Sequence, residues 1–312
     1  MRVAILGGTG FIGSHLTRLL VQDGVDVTVV SRHPKVGAGG KGRGMVEYAR
    51  WNGSSVQELI PIVEKADGVV NLVGEGIADK RWTPERKQAI LKSRVDAASA
   101  LCSAIQQADS KPDVVVQASA IGYYGYKYER KDRIEADEFS EVGTGFLAEV
   151  CKQWEDAILP LEDVVARLVI VRTGIVLGFG GGFLGKQLPL FKLGLGGSIG
   201  KGVQPFSWIH IDDEVGAILH LLRSRESSGV YNLVAPNPCS YSSFVKTLGG
   251  VLHRPALLGI PIWAVKLLFG EEMANEVIVG GKIVVPRRLL ESGYSFKYPL
   301  LQDALTMIVK KD

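Results

Sequence analysis

MRVAILGGTGFIGSHLTRLL, residues 1–20, decides the fold of this chain. A short apolar run, Arg2–Leu6, has the near-continuous Val/Ile/Leu character of a strand buried on both faces. It stops at glycine, and Gly7, Gly10 and Gly13 then stand at G-x-x-G-x-x-G spacing before an amphipathic helix. Glycine there permits a tight turn and lets the backbone approach a pyrophosphate, while the helix start offers free N–H groups and a positive dipole end. A glycine triplet in strand–turn–helix context is a dinucleotide signal; the alternative is a plain tight turn. Thr9, Phe11 and Ile12 belong to the same candidate cofactor cradle.

The end of the second strand selects the dinucleotide. An NAD site places Asp or Glu there for the ribose 2′-hydroxyl. This chain reads VTVVSRHPK, with Ser31, Arg32 and Lys35 and no acid. A guanidinium makes a charge-assisted bond to a 2′-phosphate that a carboxylate would repel. The expected cofactor is therefore NADP(H), against the reading of a solvated basic loop. GAGGKGRG (37–44) is not a P-loop, because Lys41 is followed by Gly42 and no strand precedes it.

Further strands are expected at 26–30, 68–73, 113–119 and 168–174, with a weaker one at 45–51. Helical patterns lie between them at 11–23, 55–66, 84–107 and 145–158. Alternation of this kind predicts an α/β fold, a doubly wound parallel sheet of Rossmann type. It spans residues 1–175, followed by a smaller, glycine-rich substrate lobe over 176–312, part of which, near 205–235, returns to the sheet. The apolar stretch LLGIPIWAVKLLFG is broken by Pro261 and Lys266 and is shorter than the ~20 residues of a bilayer span. It is expected as a buried helix rather than a peripheral membrane contact.

A net charge of +3 over 312 residues implies no nucleic-acid partner. Three scattered cysteines, Cys102, Cys151 and Cys239, fit neither a disulfide framework nor a zinc site, so no metal is expected. The N-terminus lacks the layout of a secretion signal. These features lead to an expected cytoplasmic location, or an organelle matrix, and no integral membrane segment.

GGTGFIG, SRHP, NLVGE, RVDAA and WIHIDD, in this order, resemble the extended short-chain dehydrogenase/reductases. NLVGEGIADKRWTPERKQAILKSR, SAIGYYG, FLAEVCKQWE, VRTGIVLG and PRRLLESGY are similar to an atypical branch of them, the NAD-dependent epimerase family proteins. The resemblance covers essentially the whole chain and implies NADP(H) binding, an unassigned small-molecule substrate, and a homodimer through the helices at 84–107 and 145–158. Leu72, Gly74 and Glu75 end the fourth strand beside the cofactor. Gly74 is expected to let the backbone approach the nucleoside and Glu75 to face cofactor or substrate, against the reading of a plain strand-ending turn, while Arg94 on the next helix is expected to meet an anionic group or to be a solvated helix-face charge.

In typical members of that superfamily a Ser at the end of the fifth strand and a Tyr-x-x-x-Lys pair on the following helix act on the substrate. Lysine lowers the phenol pKa from ~10, and the i, i+4 spacing puts both side chains on one face. Ser119 stands at the matching place, but the helix reads GFLAEVCKQWEDA, so the pair becomes Phe146/Val150 or Leu147/Cys151. Lys152 is no substitute, since one residue turns a side chain by about 100°. Tyr123 and Lys127 in IGYYGYKYE repeat the spacing, but in a glycine-containing loop rather than on a helix. Ser119 with Tyr123 or Tyr124 is the expected catalytic set, without a lysine partner. His210 is expected to be structural, with Asp212 or Asp213 capping the helix that follows. The glycines of RTGIVLGFGGG are expected to form a lid. The expected function is an NADP(H)-dependent oxidoreductase or epimerase-like enzyme, and the alternative is a non-catalytic NADP(H)-binding redox sensor or scaffold.

Overall fold

The computed structural model describes residues 1–34, 42–127 and 135–310. Seven parallel strands make the main sheet: β1 (Arg2–Leu6), β2 (Asp26–Ser31), β3 (Val46–Arg50), β4 (Gly68–Asn71), β5 (Val114–Ala120), β6 (Arg167–Thr173) and β7 (Gly229–Leu233). Their order is β3-β2-β1-β4-β5-β6-β7, so the strand order reverses between β1 and β4. Ligands of such sheets bind outside the carboxyl ends at this reversal. Val3 pairs with Val27 on one side and Gly68 on the other, which brings the glycine turn beside the ends of β2 and β4.

Side-chain alternation sorts each strand between two helical layers. Val3 and Ile5 join Val27, Val70, Val116 and Val171 under α1 (Phe11–Gln22) and α6 (Ile211–Arg223). Ala4 and Leu6 join Val69, Val115 and Ile170 under α2 (Val56–Val63), α3 (Pro84–Gln107) and α4 (Phe146–Asp156). Helix α3 starts where Thr83 accepts from the Arg86 N–H at 3.2 Å with Pro84 as its first residue, where proline's missing donor costs nothing.

The second lobe has its own core, built by Leu184, Leu188 and Phe191 of α5 (Gly182–Lys192), Phe244 and Leu248 of α7 (Tyr241–Leu252) and Leu305 of the last helix, Leu301–Lys310. Helix α5 lies inside the glycine-rich stretch; its i, i+4, i+7 apolar residues bury a stripe despite the glycines around it. Residues 211–233 return as α6 and β7 to the sheet unit, so the second lobe is drawn from the segments on either side of them.

The LLGIPIWAVKLLFG stretch differs from expectation. Its helix, Ile262–Phe269, buries Val265, while Trp263, Leu267 and Leu268 are 70%, 73% and 68% exposed. Among the described residues no helix is long and apolar enough to cross a membrane.

Candidate functional site

The turn after β1 shows what each glycine is for. Gly7 has φ +79°, and a Cβ there would lie 3.1 Å from the Leu72 carbonyl carbon, so β1 and β4 approach too closely for a side chain. A Cβ at Gly13 would lie 2.5 Å from the Gly7 oxygen and 2.7 Å from Gly8 Cα, which is how α1 seats against the turn. At Gly10 the sole neighbour within 4 Å would be the Gly7 oxygen at 3.3 Å. Helix α1 has no side-chain cap and no acid in its first turn, which leaves its leading N–H groups without a side-chain acceptor, and Thr9, Gly10, Phe11 and Arg18 help to line a cleft of about 540 Å³. This is the donor arrangement of a phosphate cradle. Gly178, Gly181 and Gly182 close around the Phe11 ring, with Cβ positions 2.8, 2.5 and 3.0 Å from its atoms. The stretch expected as a lid is thus seated on the cradle.

At the end of β2 the Ser31 hydroxyl is buried without a hydrogen-bond partner among the described residues, an arrangement that costs free energy unless a ligand supplies one. Arg32 is exposed and forms no ion pair among the described residues. Lys35 lies outside the described residues. An orphaned hydroxyl beside a guanidinium fits a phosphate, and the nearby acid, Asp26, sits at the other end of the strand, accepting from the Met45 N–H at 2.8 Å.

At the end of β4, Leu72 abuts Gly7 and donates its N–H to the Leu6 carbonyl at 2.9 Å. Glu75 is paired through Oε2 with Arg86. Arg94 is no solvated helix-face charge. Its guanidinium lies over Gly74, 3.0 Å from where a Cβ would be, and 5.1 Å from the Trp154 ring. Burial lowers its pKa, and among the described residues its one hydrogen-bond acceptor is the Ile90 carbonyl at 3.0 Å.

The fifth-strand residues are engaged in a network the sequence did not reveal. Ser119 donates to Glu155 Oε1 at 2.6 Å, and Arg172 holds both oxygens of Glu155 at 2.9 and 2.8 Å. Arg172 also donates at 3.0 Å to the Tyr124 hydroxyl, which donates to Asn232 at 2.7 Å. Burial opposes the Arg172 charge, but the hydrogen bonds and charge of Glu155 outweigh it and hold the guanidinium pKa above its ordinary value. Burial pushes the Tyr124 phenol up to about 12. Both the Ser119 and the Tyr124 hydroxyls are buried and donate to protein partners. Tyr123 differs. Its ring lies against the Arg172 guanidinium, 3.3 Å from centroid to Cζ, and its hydroxyl has no hydrogen-bond partner among the described residues.

Helix α4 settles the register of the missing pair. Leu147 and Cys151 face the turn after β5, since a Cβ at Gly122 would lie 3.2 Å from Leu147 Cβ and 3.6 Å from Cys151 Sγ. Burial, reinforced by Glu155, raises the Cys151 thiol to about 11, so it is no thiolate. Lys152 points outward and pairs with Asp156. Glu276 of the second lobe caps this helix, accepting from the Phe146 and Leu147 N–H groups at 2.8 Å each. His210 itself caps α6, its Nδ1 accepting from the Asp212 N–H at 3.0 Å. Asp213 instead accepts from the N–H groups of Lys297 and Tyr298 at 2.6 and 2.9 Å.

Glu155 and Arg172 are the residues that sequence reasoning missed. Their signal was a charged residue within the apolar run LVIVRTG and an acid one helical turn after Cys151 on the inward face of α4.

A dinucleotide-type sheet, a glycine cradle and an acid-free β2 end define the class. The NAD dependent epimerase/dehydratase family model matches residues 3–233, and a domain of unknown function, DUF1731, matches 260–308. The chain belongs to that epimerase/dehydratase family. It is 38% identical to the human epimerase family protein SDR39U1, over 99% of this chain and all of that one. It is 37% identical to a chloroplastic SDR39U1 homologue of Arabidopsis thaliana, over 99% of this chain and 87% of the relative. The crystal structure of human SDR39U1 isoform 2 with NADPH superimposes with a TM-score of 0.88 and 36% identity, covering both chains completely.

Proposed function

We propose that the protein is an NADP(H)-dependent oxidoreductase or epimerase-like enzyme. The observation that carries the cofactor reading is the buried, unpartnered Ser31 hydroxyl beside Arg32 at a β2 end without an acid; the NADPH complex of a full-length relative supports it. Gly7, Gly10 and Gly13 with the N–H groups of Phe11 and Ile12 would hold the pyrophosphate, Ser31 and Arg32 the 2′-phosphate. Leu72 and Gly74 would flank the nucleoside, and Arg94 would donate to a ribose or an anion. The bound cofactor would supply or accept a hydride. Within the chain, Tyr123 is the hydroxyl that would hold or move a proton at a substrate oxygen, with Arg172 fixing its ring.

NADPH is expected to bind more tightly than NADH, and Arg32→Ala to erase most of the difference, roughly ten- to a hundredfold for one charge-assisted contact. Equal fluorescence titration curves for the two cofactors with the unaltered protein would overturn this reading.

A second reading, a non-catalytic NADP(H) sensor, is favoured by the commitment of Ser119 and Tyr124 to the buried network. Tyr123→Phe separates the two. An enzyme should lose turnover at least a hundredfold with its NADPH affinity unchanged, as measured by NADPH oxidation against a panel of carbonyl compounds. Turnover surviving the change removes Tyr123 from the mechanism, and no turnover in the unaltered protein supports the sensor.

A further inference from the structure

A second cleft, of about 670 Å³, opens where the loop after β5 meets the second lobe. Tyr126 and Lys127 of that loop line it, so it begins three residues from Tyr123 at the ligand edge of the sheet. Its far walls are apolar, supplied by Ile199, Val203, Ile262 and Trp263. Lys127 and Lys201 also line it, and among the described residues no carboxylate does. Neither ammonium forms an ion pair among the described residues. Glu276, beside the lining residue Asn275, is turned away, because both its oxygens cap α4. No Asp or Glu occurs between Asp163 and Asp212, or between Glu226 and Glu271, the stretches that supply Lys201 and Trp263, whereas Glu129 and Asp132 follow Lys127 in sequence.

Trp263 is 70% exposed and Val203 41% exposed on this wall. Covering such surface is favourable by about 25 cal/mol per Å² of apolar area. Tyr126, Gln204 and Asn275 add a few polar groups to the lining, but the side chains of Ile199, Val203 and Ile262 offer sugar hydroxyls no hydrogen-bond partner. Two ammonium groups at an apolar cleft select the opposite charge on an apolar body.

We propose that this cleft binds the substrate, and that the substrate is an oxyanion, carboxylate or phosphate, carrying an extended apolar chain rather than a nucleotide sugar. The assignment deepens the NADP(H) reading, since the cleft adjoins the same sheet edge, and it is tested separately from it. Calorimetric titrations of the full-length protein, with and without saturating NADPH, would use octanoate, octyl phosphate, 1-octanol and UDP-glucose as probes. Octanoate or octyl phosphate should bind about tenfold or more tightly than 1-octanol, and their ratio distinguishes the two oxyanions. The double change Lys127→Ala with Lys201→Ala should abolish that advantage, and Trp263→Ala should weaken all three octyl probes several-fold. Equal affinity for acid and alcohol, an unchanged advantage in the lysine variant, tighter binding of UDP-glucose, or no binding of either octyl anion would overturn the proposal. NADPH affinity measured on the same proteins keeps the outcomes apart. Intact NADPH binding without anion binding removes the substrate assignment alone; anion binding without NADPH binding removes the cofactor reading alone.

Discussion

Glu155→Ala is expected to destabilise the protein by about 3–5 kcal/mol, the usual cost of leaving one partner of a buried ion pair uncompensated. The side chains of Arg172 and Glu155 are 4% and 8% exposed, so water cannot replace the lost carboxylate. The loss spreads, because Glu155 also accepts from Ser119 while Arg172 donates to Tyr124. The double change Glu155→Leu with Arg172→Met removes both charges and should recover much of the loss, since apolar replacements of buried pairs are often nearly neutral. Urea unfolding midpoints of the single and double variants measure this. A single variant within about 1 kcal/mol of the unaltered protein would show that the pair contributes little. With Arg172 released, Tyr123 also loses the guanidinium its ring lies against, so any turnover that depends on Tyr123 should fall in the double variant even where stability is regained.

The second large effect is a loss of stability as pH rises. Glu214 lies on α6 against the sheet, fully buried, with one oxygen accepting from the Thr173 hydroxyl at 2.8 Å and the other without a partner. Burial raises its pKa from 4.5 to about 8. Below 4.5 the carboxyl is protonated whether the chain is folded or not, and the contribution is fully present. Between 4.5 and about 8 the folded chain keeps a proton that the unfolded chain has released, so folding weakens as pH rises. The slope is about 1.4 kcal/mol per pH unit until the folded group itself ionises. Glu214→Gln should flatten this dependence and make the protein more stable than the unaltered one near pH 8. Urea midpoints at three or four pH values across the interval test it; parallel curves for the two proteins would place the titration elsewhere. Asp213 and Glu138, whose pKa values burial also raises, bias the profile in the same direction.

Much of the fold was legible because its determinants are local. Val/Ile runs separated by helical patterns located six of the strands, and Gly7, Gly10 and Gly13 located the cradle. The seventh strand, Gly229–Leu233, was harder to see. At the sheet edge it pairs only with β6, and its first two residues are partly exposed, so its apolar signal is short. Helix α5 was obscured by Gly180, Gly181 and Gly182, although its buried leucines keep helical spacing.

The candidate site divides along the same line. The amino-acid sequence by itself determined the dinucleotide-type sheet, the place of the cradle, the acid-free end of β2 and the absence of tyrosine from α4, because each depends on residue types a few positions apart. Only the tertiary structure decided what the hydroxyls after β5 do. Ser119, Tyr124, Glu155, Arg172 and Asn232 come from four segments spread over more than a hundred residues, and burial forces their polar atoms to satisfy one another. That closure leaves Tyr123, which lies against Arg172, with a hydroxyl that has no protein partner among the described residues. It also turns the Y-x-x-x-K spacing into two separate assignments, Tyr123 beside Arg172 and Lys127 at the mouth of an apolar cleft.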